Sequence, residues 1–350
     1  MRAFNEKHYV PALFTKRAEL TALSKLDIGL KSDISPLFVI PPLEIDHETG
    51  EQRKSTDRHI ENVATELTQK WGKNPAFIDT QYLEDSMLAN GEHPLQAIIT
   101  EAKELELQLV PVVPDKPTAP LLKALTNLKP EEICLRVNIS DWLDFKSEPL
   151  LEELGVEKDR VHLIIDRSDD QSDLARKITR TIVEQLQSPT EWKTVTVLGT
   201  SMPDPLPNDS LLFEVERTEV IDHDRFLNGE IQVPRKPSYG DYTITAPTPF
   251  TVVDPRLIQI SAKFKYASDT AWVIARGDLF KGHGGRSKGA SAFLPVAEKI
   301  LRHPAFDNEP VGPDEWLRAA AADPSKGGSP EVWVRVGVWR HILKTIEHLM

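Results

Sequence analysis

The chain has 350 residues, of which 40% are apolar, and a formal net charge of −12. This length and composition predict a globular protein with a sizeable core and exclude an intrinsically disordered chain. The negative charge argues against extended nucleic-acid binding, because such surfaces neutralise phosphates with many basic side chains, although a local basic pocket is compatible with it. The sequence has no apolar signal core and no run of ~20 apolar residues, so we expect no membrane contact and a cytoplasmic protein.

Segments typical of strands and helices alternate along the first two thirds of the chain. The run from Leu37 to Ile40 is apolar on both faces, which indicates a strand buried on both sides, as in a parallel sheet. Further strands are predicted at 9–14, 76–79, 107–113, 133–138, 161–166, 194–198 and 239–245. Helical spacing of apolar residues predicts helices at 17–27, 57–71, 94–105, 118–128, 148–154 and 172–187. The last helix carries Leu174, Ile178, Ile182 and Leu186 on one face.

Eight predicted strands separated by helices indicate an α/β fold with parallel strands, and eight is the number that closes a TIM-like (β/α)8 barrel. The alternative is an open doubly wound sheet. We prefer the barrel, because no Gly-x-Gly-x-x-Gly motif follows the first strand. We therefore expect a barrel domain at 1–258, with a charged insertion at 204–236 that is helical at 211–228, and a C-terminal α+β extension at 259–350 packed on the barrel.

The predicted extension begins with two segments, 260–266 and 270–275, whose alternation of apolar and polar residues predicts a β-hairpin. A basic, glycine-rich segment follows at 277–290, a helical pattern follows at 291–303, and 333–349 is predicted to be a mixed strand–helix end. Glycine-rich backbone that leads into a helix is suited to binding an anion, and Arg276 is the candidate side chain beside it. The alternative for this segment is a mobile, solvated loop.

Short motifs spread over nearly the whole chain carry a family resemblance. They are Tyr9-Val-Pro with Lys16 to Glu19, Pro41-Pro-Leu-Glu44-Ile, Phe77-Ile-Asp79, His93-Pro-Leu95, Leu135-Arg136, Tyr239-Gly-Asp241-Tyr, Trp272-Val-Ile-Ala-Arg276-Gly, and Trp333 with His341-Ile342. In this order they resemble the Beta protein family of phage and bacterial proteins, named after a phage T4 protein. The resemblance implies a barrel-like fold and a link to phage or mobile-element biology, including anti-phage defence, but no established reaction. The family pattern ends in paired histidines, where this chain has Arg340 before His341.

Charged residues stand at the ends of the predicted strands. If the barrel closes, these ends meet at the C-terminal rim, where the sites of such barrels are built. Glu44, Asp79, Asp166 and Asp241 would repel one another there unless a divalent cation or basic side chains lie among them. They predict a site for Mg²⁺ or Mn²⁺, whose preferred ligands are oxygens. The other strand-end residues are Lys16, Arg17, Glu19, Asp115, Arg167 and Ser201.

Three kinds of role follow for residues at this rim. Asp166 and Glu44 are the candidate catalytic carboxylates, since a bound metal could activate water and clamp a phosphoryl group. Lys16 and Arg136 are candidate anion-binding side chains. His341 is a candidate acid–base group, with core packing as the alternative. For the whole rim the alternative is a salt-bridge network in which Lys16, Arg136 and Arg167 pair with the acids and hold the barrel closed.

Two functions are open from the sequence. The first is a metal-dependent hydrolase that acts on a phosphorylated or nucleotide-like substrate, which would be a small anionic ligand. The second is a non-catalytic component of an anti-phage defence system or of a phage-encoded assembly, which works through a protein partner. The acidic chain and its charged insertion fit a docking element at least as well as an enzyme.

Overall fold

The computed structural model describes residues 1–46, 48–207, 210–247, 259–282 and 287–350. Its strands, in chain order, are β1 (Tyr9–Phe14), β2 (Leu37–Val39), β3 (Ala76–Asp79), β4 (Leu109–Pro114), β5 (Ile133–Asn138), β6 (Val161–Asp166), β7 (Thr194–Leu198), β8 (Leu212–Glu216), β9 (Ser238–Asp241), β10 (Ile260–Ala267) and β11 (Ala271–Lys281). Its α-helices are α1 (Arg17–Leu23), α2 (Thr56–Ile60), α3 (Val63–Trp71), α4 (Pro94–Glu104), α5 (Ala119–Leu128), α6 (Ser147–Leu154), α7 (Asp173–Gln185), α8 (Thr218–Leu227), α9 (Leu294–Leu301), α10 (Pro313–Ala322) and α11 (Pro330–Leu349).

Eight parallel strands close into a barrel in the order β1-β2-β3-β4-β5-β6-β7-β9. The closure is made where Tyr9 of β1 lies in register with Tyr239 of β9. The predicted (β/α)8 barrel is therefore confirmed. The open doubly wound sheet is wrong, because β1 and β9 are hydrogen-bonded to each other and neither is a free edge.

The alternation of side chains along each strand separates two apolar layers. In β1, Val10 and Ala12 pack with the residues that fill the barrel interior. Tyr9 and Leu13 belong instead to the larger core between the strands and the surrounding helices. Successive residues of a strand point to opposite faces, so this alternation decides which strand-end side chains reach the interior.

A second, three-stranded antiparallel sheet has the order β10-β11-β8. The predicted hairpin is confirmed by the pairing of β10 with β11, for example Phe264 with Ala275. The prediction of a helix throughout 211–228 is wrong for its first part, because Leu212–Glu216 forms β8 and pairs with β11. A segment of the predicted barrel domain thus supplies a strand to the sheet of the extension, while the division of the chain at residue 258 stays a prediction.

The glycine-rich segment after Arg276 is partly regular structure. Strand β11 continues to Lys281, so residues 277–281 are not the loop that the composition predicted. Gly277 is explained by packing, since a Cβ there would lie 2.5 Å from the carbonyl oxygen of Ala292 and 2.8 Å from Val296 Cγ2. Residues 283–286 of the predicted anion-binding segment lie outside the described residues.

Helix α7 begins at a side-chain cap, because Ser172 Oγ accepts a hydrogen bond of 3.2 Å from the backbone N–H of Ala175. Helix α3 ends at Gly72, whose φ of +88° suits a residue without a side chain. Over the described residues, none of the helices has the length and apolar character needed to cross a bilayer.

Candidate functional site

The barrel interior contains an ion network centred on Arg136, at the carboxyl ends of the strands. Arg136 Nη1 lies 2.5 Å from Asp79 Oδ2 at the end of β3, and Nε donates to Asp166 Oδ2 at the end of β6, at 2.9 Å. Its Nη2 donates to the Tyr242 hydroxyl at 2.8 Å. That hydroxyl in turn donates to Asp166 at 2.6 Å. The structure therefore brings together two of the four predicted acids and one of the predicted anion-binding side chains.

This network leaves little free charge. Asp79 and Asp166 are only 3% and 4% exposed, and each also accepts a backbone N–H bond, from Gln81 and Ser168 respectively. Burial alone lowers the pKa of Arg136, but Tyr242, Asp166 and Asp79 together raise it well above its ordinary value. A guanidinium held between two carboxylates is already neutralised, so it is poorly placed to bind a substrate anion. This geometry matches the salt-bridge alternative for the rim.

Further acids lie near the carboxyl ends of the strands, and two of them have a raised pKa. Burial raises the pKa of Glu19 to about 8, although Lys16 and a 2.6 Å hydrogen bond from the Phe14 N–H oppose the rise. Burial also raises the pKa of the half-buried Glu84 to about 7, and Asp79 adds to that effect. Glu44 is exposed, with Arg53 Nη1 3.9 Å from its Oε2. Glu44 is therefore apart from the buried Asp79–Arg136–Asp166 network.

Asp241 belongs to a different, outward-facing cluster between the barrel and α11. Its carboxylate accepts hydrogen bonds from Tyr9 at 2.5 Å and from Tyr239 at 2.9 Å. His341 Nε2 lies 2.8 Å from Asp241 Oδ2, and Arg217 Nη2 lies 3.7 Å from the same oxygen. Burial by itself raises the pKa of Asp241, but His341 and Arg217 outweigh it and lower the pKa to about 2.

His341 is wholly buried in this second cluster. Trp272 stacks on its ring with centroids 4.8 Å apart, and burial lowers the pKa of His341 although Asp241 opposes the shift. Within the described part of the chain, its Nδ1 has no hydrogen-bond partner. Because Asp241 is ionised, Nε2 donates to it, and the lowered pKa of His341 favours the neutral ring. A buried ring of this kind fits the core-packing alternative rather than acid–base contact with a substrate.

An open groove of about 830 Å³ runs along α7 on the outside of the barrel. We call it the α7 groove; it lies between residues 139–147, which follow β5, and the face of α7 that carries Ile178 and Ile182. Its lining is largely apolar and includes Leu143, whose exposure is 94%. Leu174 and Ile178 on α7 are 67% and 37% exposed, although the sequence places them on the apolar face of the helix.

A comparison with protein-family profiles matches residues 9–347 to the family described as Beta protein. This match covers nearly the whole chain. The chain belongs to the Beta protein family. A comparison with curated proteins gave no match. The description of the family names no reaction, so the function of this Beta protein family member has to be argued from its own residues.

The remaining predicted site residues of this Beta protein family member lie apart from the ion network. Arg276 is on β11 in the three-stranded sheet, and its Nη1 lies 2.5 Å from the carbonyl oxygen of Pro207. Arg17 is exposed, 3.6 Å from Glu331. Ser201 Oγ accepts a bond from the Trp272 indole at 3.1 Å. Asp115 lies 3.6 Å from Lys116, and Arg167 pairs with Asp222 at 2.7 Å.

Among the residues that the structure describes, no group of three or more histidine, cysteine, aspartate or glutamate side chains is arranged to hold a metal ion. The predicted four-acid site is dispersed because Asp241 faces outward and Glu44 faces solvent. A metal at Asp79 and Asp166 would have to displace Arg136, which already occupies the space between them. Among the described residues, the acids predicted to bind Mg²⁺ or Mn²⁺ are not assembled into one site.

Two features of this Beta protein family member escaped sequence reasoning. Tyr242 follows β9 and completes the ion network, yet an isolated tyrosine after a strand carries no specific signal. The α7 groove did have a signal, namely the apolar stripe on α7. Periodicity shows that the stripe exists but cannot show that the neighbouring element leaves its first half uncovered.

Proposed function

We propose that this Beta protein family member is a non-catalytic interaction protein whose α7 groove binds an acidic, amphipathic segment of a partner protein. The apolar stripe of α7 carries the proposal. Ile178 is exposed and lines the groove, and Leu174, one turn before the lining, is also exposed, whereas Ile182, one turn after Ile178, is 5% exposed. Exposed apolar side chains that line a groove mark interaction sites in soluble proteins. The stripe from Leu174 to Leu186 is about 18 Å long at 1.5 Å per residue, which suits a short helix of the partner.

The charges around the groove favour an acidic partner. Lys146, Lys158 and Lys177 lie along it, in a chain whose net charge is −12. Lys158 pairs with Glu148 at 3.1 Å. Within the described residues, neither Lys146 nor Lys177 has an acidic side chain within 4.0 Å. These two lysines are therefore available to pair with acidic residues beside the apolar stripe of the partner, which would set orientation and speed association.

The biological setting that we propose is an anti-phage defence system or a phage-encoded assembly, as the family resemblance implies. A component of such an assembly needs a stable scaffold and a surface for its partner. The ion network of Arg136 supports the scaffold role, because it neutralises Asp79 and Asp166 inside the barrel.

A metal-dependent hydrolase of a phosphorylated or nucleotide-like substrate is the second proposal. It has one supporting observation: the pKa of Glu84 is raised to about 7 at the barrel rim, where a general acid–base group works best near neutral pH. The dispersed acids weigh against it. Loss of activity in Glu84→Gln with full stability would favour the hydrolase over the interaction protein.

A direct test uses a defined probe, a helical peptide of about 18 residues with leucines on one face and glutamates on the other. We expect saturable binding that weakens at least tenfold in Ile178→Glu and in Lys177→Glu. The matched control is Val334→Glu on α11, which alters an apolar residue of similar exposure, 38% against 37%. A peptide with lysines in place of the glutamates should not bind.

Two results would overturn the proposal. One is peptide binding that Ile178→Glu leaves unchanged. The other is concentration-dependent dimerisation in sedimentation velocity that Ile178→Glu abolishes, because the groove would then be an interface between two copies of this chain.

A further inference from the structure

A second cavity, of about 270 Å³, lies on the other side of α7. It is enclosed by α7, α8 and the outer faces of β7 and β9, and we call it the α7–α8 cavity. Its floor is apolar, with Val197 and Tyr239 from the strands and Phe226 from α8. The cavity is separate from the barrel interior, because Val197 and Tyr239 pack in the core between strands and helices.

Cationic side chains outnumber acids around this cavity. Its lining includes Arg167, Arg176, Lys177, Arg180 and Arg225, against Asp173, Glu219 and Asp222. That balance is opposite to the −12 charge of the whole chain. Arg180 and Arg225 pair with Glu184 and Glu230 outside the lining, at 2.7 Å and 3.3 Å, so the surplus comes from Arg167, Arg176 and Lys177. A local surplus of guanidinium and ammonium groups beside apolar walls produces a positive potential that attracts anions.

One acid serves two arginines at the mouth of the cavity. Arg167 Nη1 donates to Asp222 Oδ2 at 2.7 Å, and Arg176 donates to both oxygens of the same carboxylate, with Nη2 at 2.6 Å from Oδ1. Glu219 does not supply the missing charge, because its Oε2 accepts the Ser201 N–H and its Oε1 faces Arg217 at 3.7 Å. The two guanidiniums therefore share one carboxylate within salt-bridge distance, while Asp173 and Glu216 act on Arg176 from further away.

Arg167 also has an unused donor. Its side chain is 2% exposed, and its buried Nε has no hydrogen-bond partner among the residues that the structure describes. A buried donor without an acceptor costs free energy unless a ligand supplies one. The neighbouring residue is Gly199, where a Cβ would lie 3.2 Å from that Nε. A side chain at position 199 would therefore crowd the guanidinium.

We propose that the α7–α8 cavity binds a small oxyanion, a phosphate or a carboxylate, that carries a short apolar group. The oxyanion accepts from Arg167 Nε and pairs with the surplus charge of Arg167 and Arg176. The apolar group packs on Phe226 and Tyr239. The fork of a guanidinium suits both phosphate and carboxylate oxygens, so the shared chemistry is the oxyanion. This inference does not depend on the partner segment proposed for the α7 groove.

Calorimetric titration tests it with four probes: phenyl phosphate, benzoate, inorganic phosphate and the neutral benzyl alcohol. We expect phenyl phosphate or benzoate to bind at least tenfold more tightly than both inorganic phosphate and benzyl alcohol, because only these two combine charge with an apolar body. The stronger of the two identifies the oxyanion as phosphate or carboxylate.

Three variants locate the binding. Arg167→Met should abolish it, and thermal unfolding shows whether that buried change is tolerated. Gly199→Ala, which leaves every charge in place, should weaken binding at least threefold. The double variant Lys177→Met with Arg180→Met alters exposed side chains only and should weaken it at least tenfold, whereas Lys103→Met on the exposed face of α4 should not.

Two outcomes overturn the inference: no saturable heat with either aromatic oxyanion, or equal affinity in the double variant and in Lys103→Met. Lys177 also lines the α7 groove, so the Gly199→Ala result separates the two surfaces. That variant should leave binding of the leucine–glutamate peptide unchanged.

Discussion

His341 Nε2 on α11 lies 2.8 Å from Asp241 Oδ2 at the end of β9, and both side chains are wholly buried. This contact fastens the C-terminal helix to the last strand of the barrel. The same carboxylate also serves Tyr9 of the first strand, at 2.5 Å. One acid therefore links the two strands that close the barrel and the helix that ends the chain.

Replacement of Asp241 by alanine is expected to lower the free energy of unfolding by about 3–5 kcal/mol, because it removes the acceptor of two buried tyrosine hydroxyls and a nearby counter-charge of the buried Arg217. The matched control is Asp224→Ala, which removes another His–Asp pair of α11, to His348, also at 2.8 Å but partly exposed. That change should cost no more than about 1 kcal/mol. Urea denaturation measures both, and equal costs would show that the buried cluster does not hold α11.

The barrel could be predicted from the sequence because its strands are buried on both faces. A run such as Leu37 to Ile40 has no polar side, and that pattern is specific to sheets covered on both sides. Because both faces of these strands are buried, the sequence does not show to which face each side chain points. Asp241 and Tyr242 are adjacent, yet Asp241 faces the helices and Tyr242 faces the interior, and two apolar surroundings give no pattern to tell them apart.

Contacts between distant segments were also beyond the sequence. Arg136 was predicted to bind a substrate anion, with pairing to the rim acids as the alternative, but spacing could not show that its partners are Asp79 and Asp166, which are 57 and 30 residues away. Strand β8 lies in the segment 211–228, which was predicted to be helical although it is highly charged. Its strand form depends on pairing with β11, which lies more than fifty residues further along the chain.

Glu19 gives a pH dependence with a definite sign. Its pKa is raised to about 8 in the fold, above the value of ~4.3 for an unfolded chain. The folded state therefore retains a proton that the unfolded state has released, and the stability from this group is lost as pH rises from about 4.3 to about 8.

We expect Glu19→Gln to remove that dependence, since a glutamine oxygen can still accept the Phe14 N–H. The difference in unfolding free energy between variant and wild type should grow with pH across this window, by up to ~1.4 kcal/mol per pH unit. The control is Glu315→Gln on the exposed surface of α10. A difference that stays constant from pH 5 to pH 8 would contradict a raised pKa for Glu19.

The Arg136 network predicts the response to metal ions. Asp166→Ala should destabilise the fold by about 3–5 kcal/mol, because Arg136 and the Tyr242 hydroxyl lose a buried partner. Asp278→Ala, which breaks an exposed pair with Lys288, should cost less than about 1 kcal/mol.

We also expect Mg²⁺ and Mn²⁺ to leave the melting temperature of the wild type unchanged, because Arg136 occupies the position that a cation would need. A ligand at a hundredfold excess over its Kd would add about 2.7 kcal/mol, which is easily detected. A saturable rise in melting temperature that disappears in Asp166→Ala would contradict the network and support the metal-dependent hydrolase.

Ile178 and Ile182 provide the last prediction, since they stand one turn apart on the apolar stripe of α7. Ile182 is 5% exposed and packs in the main core, while Ile178 is 37% exposed and lines the α7 groove. Ile182→Ala should cost about 2–5 kcal/mol of unfolding free energy, through lost burial and the cavity left behind. Ile178→Ala should change it by no more than about 0.5 kcal/mol, as for most surface positions. Chemical denaturation of the two variants measures the contrast.

A small cost for Ile178→Ala would show that this exposed apolar side chain does not stabilise the fold, which favours a role in binding. A cost for Ile178→Ala as large as that for Ile182→Ala would show instead that the whole stripe stabilises the fold, which would contradict the binding of a partner at the α7 groove.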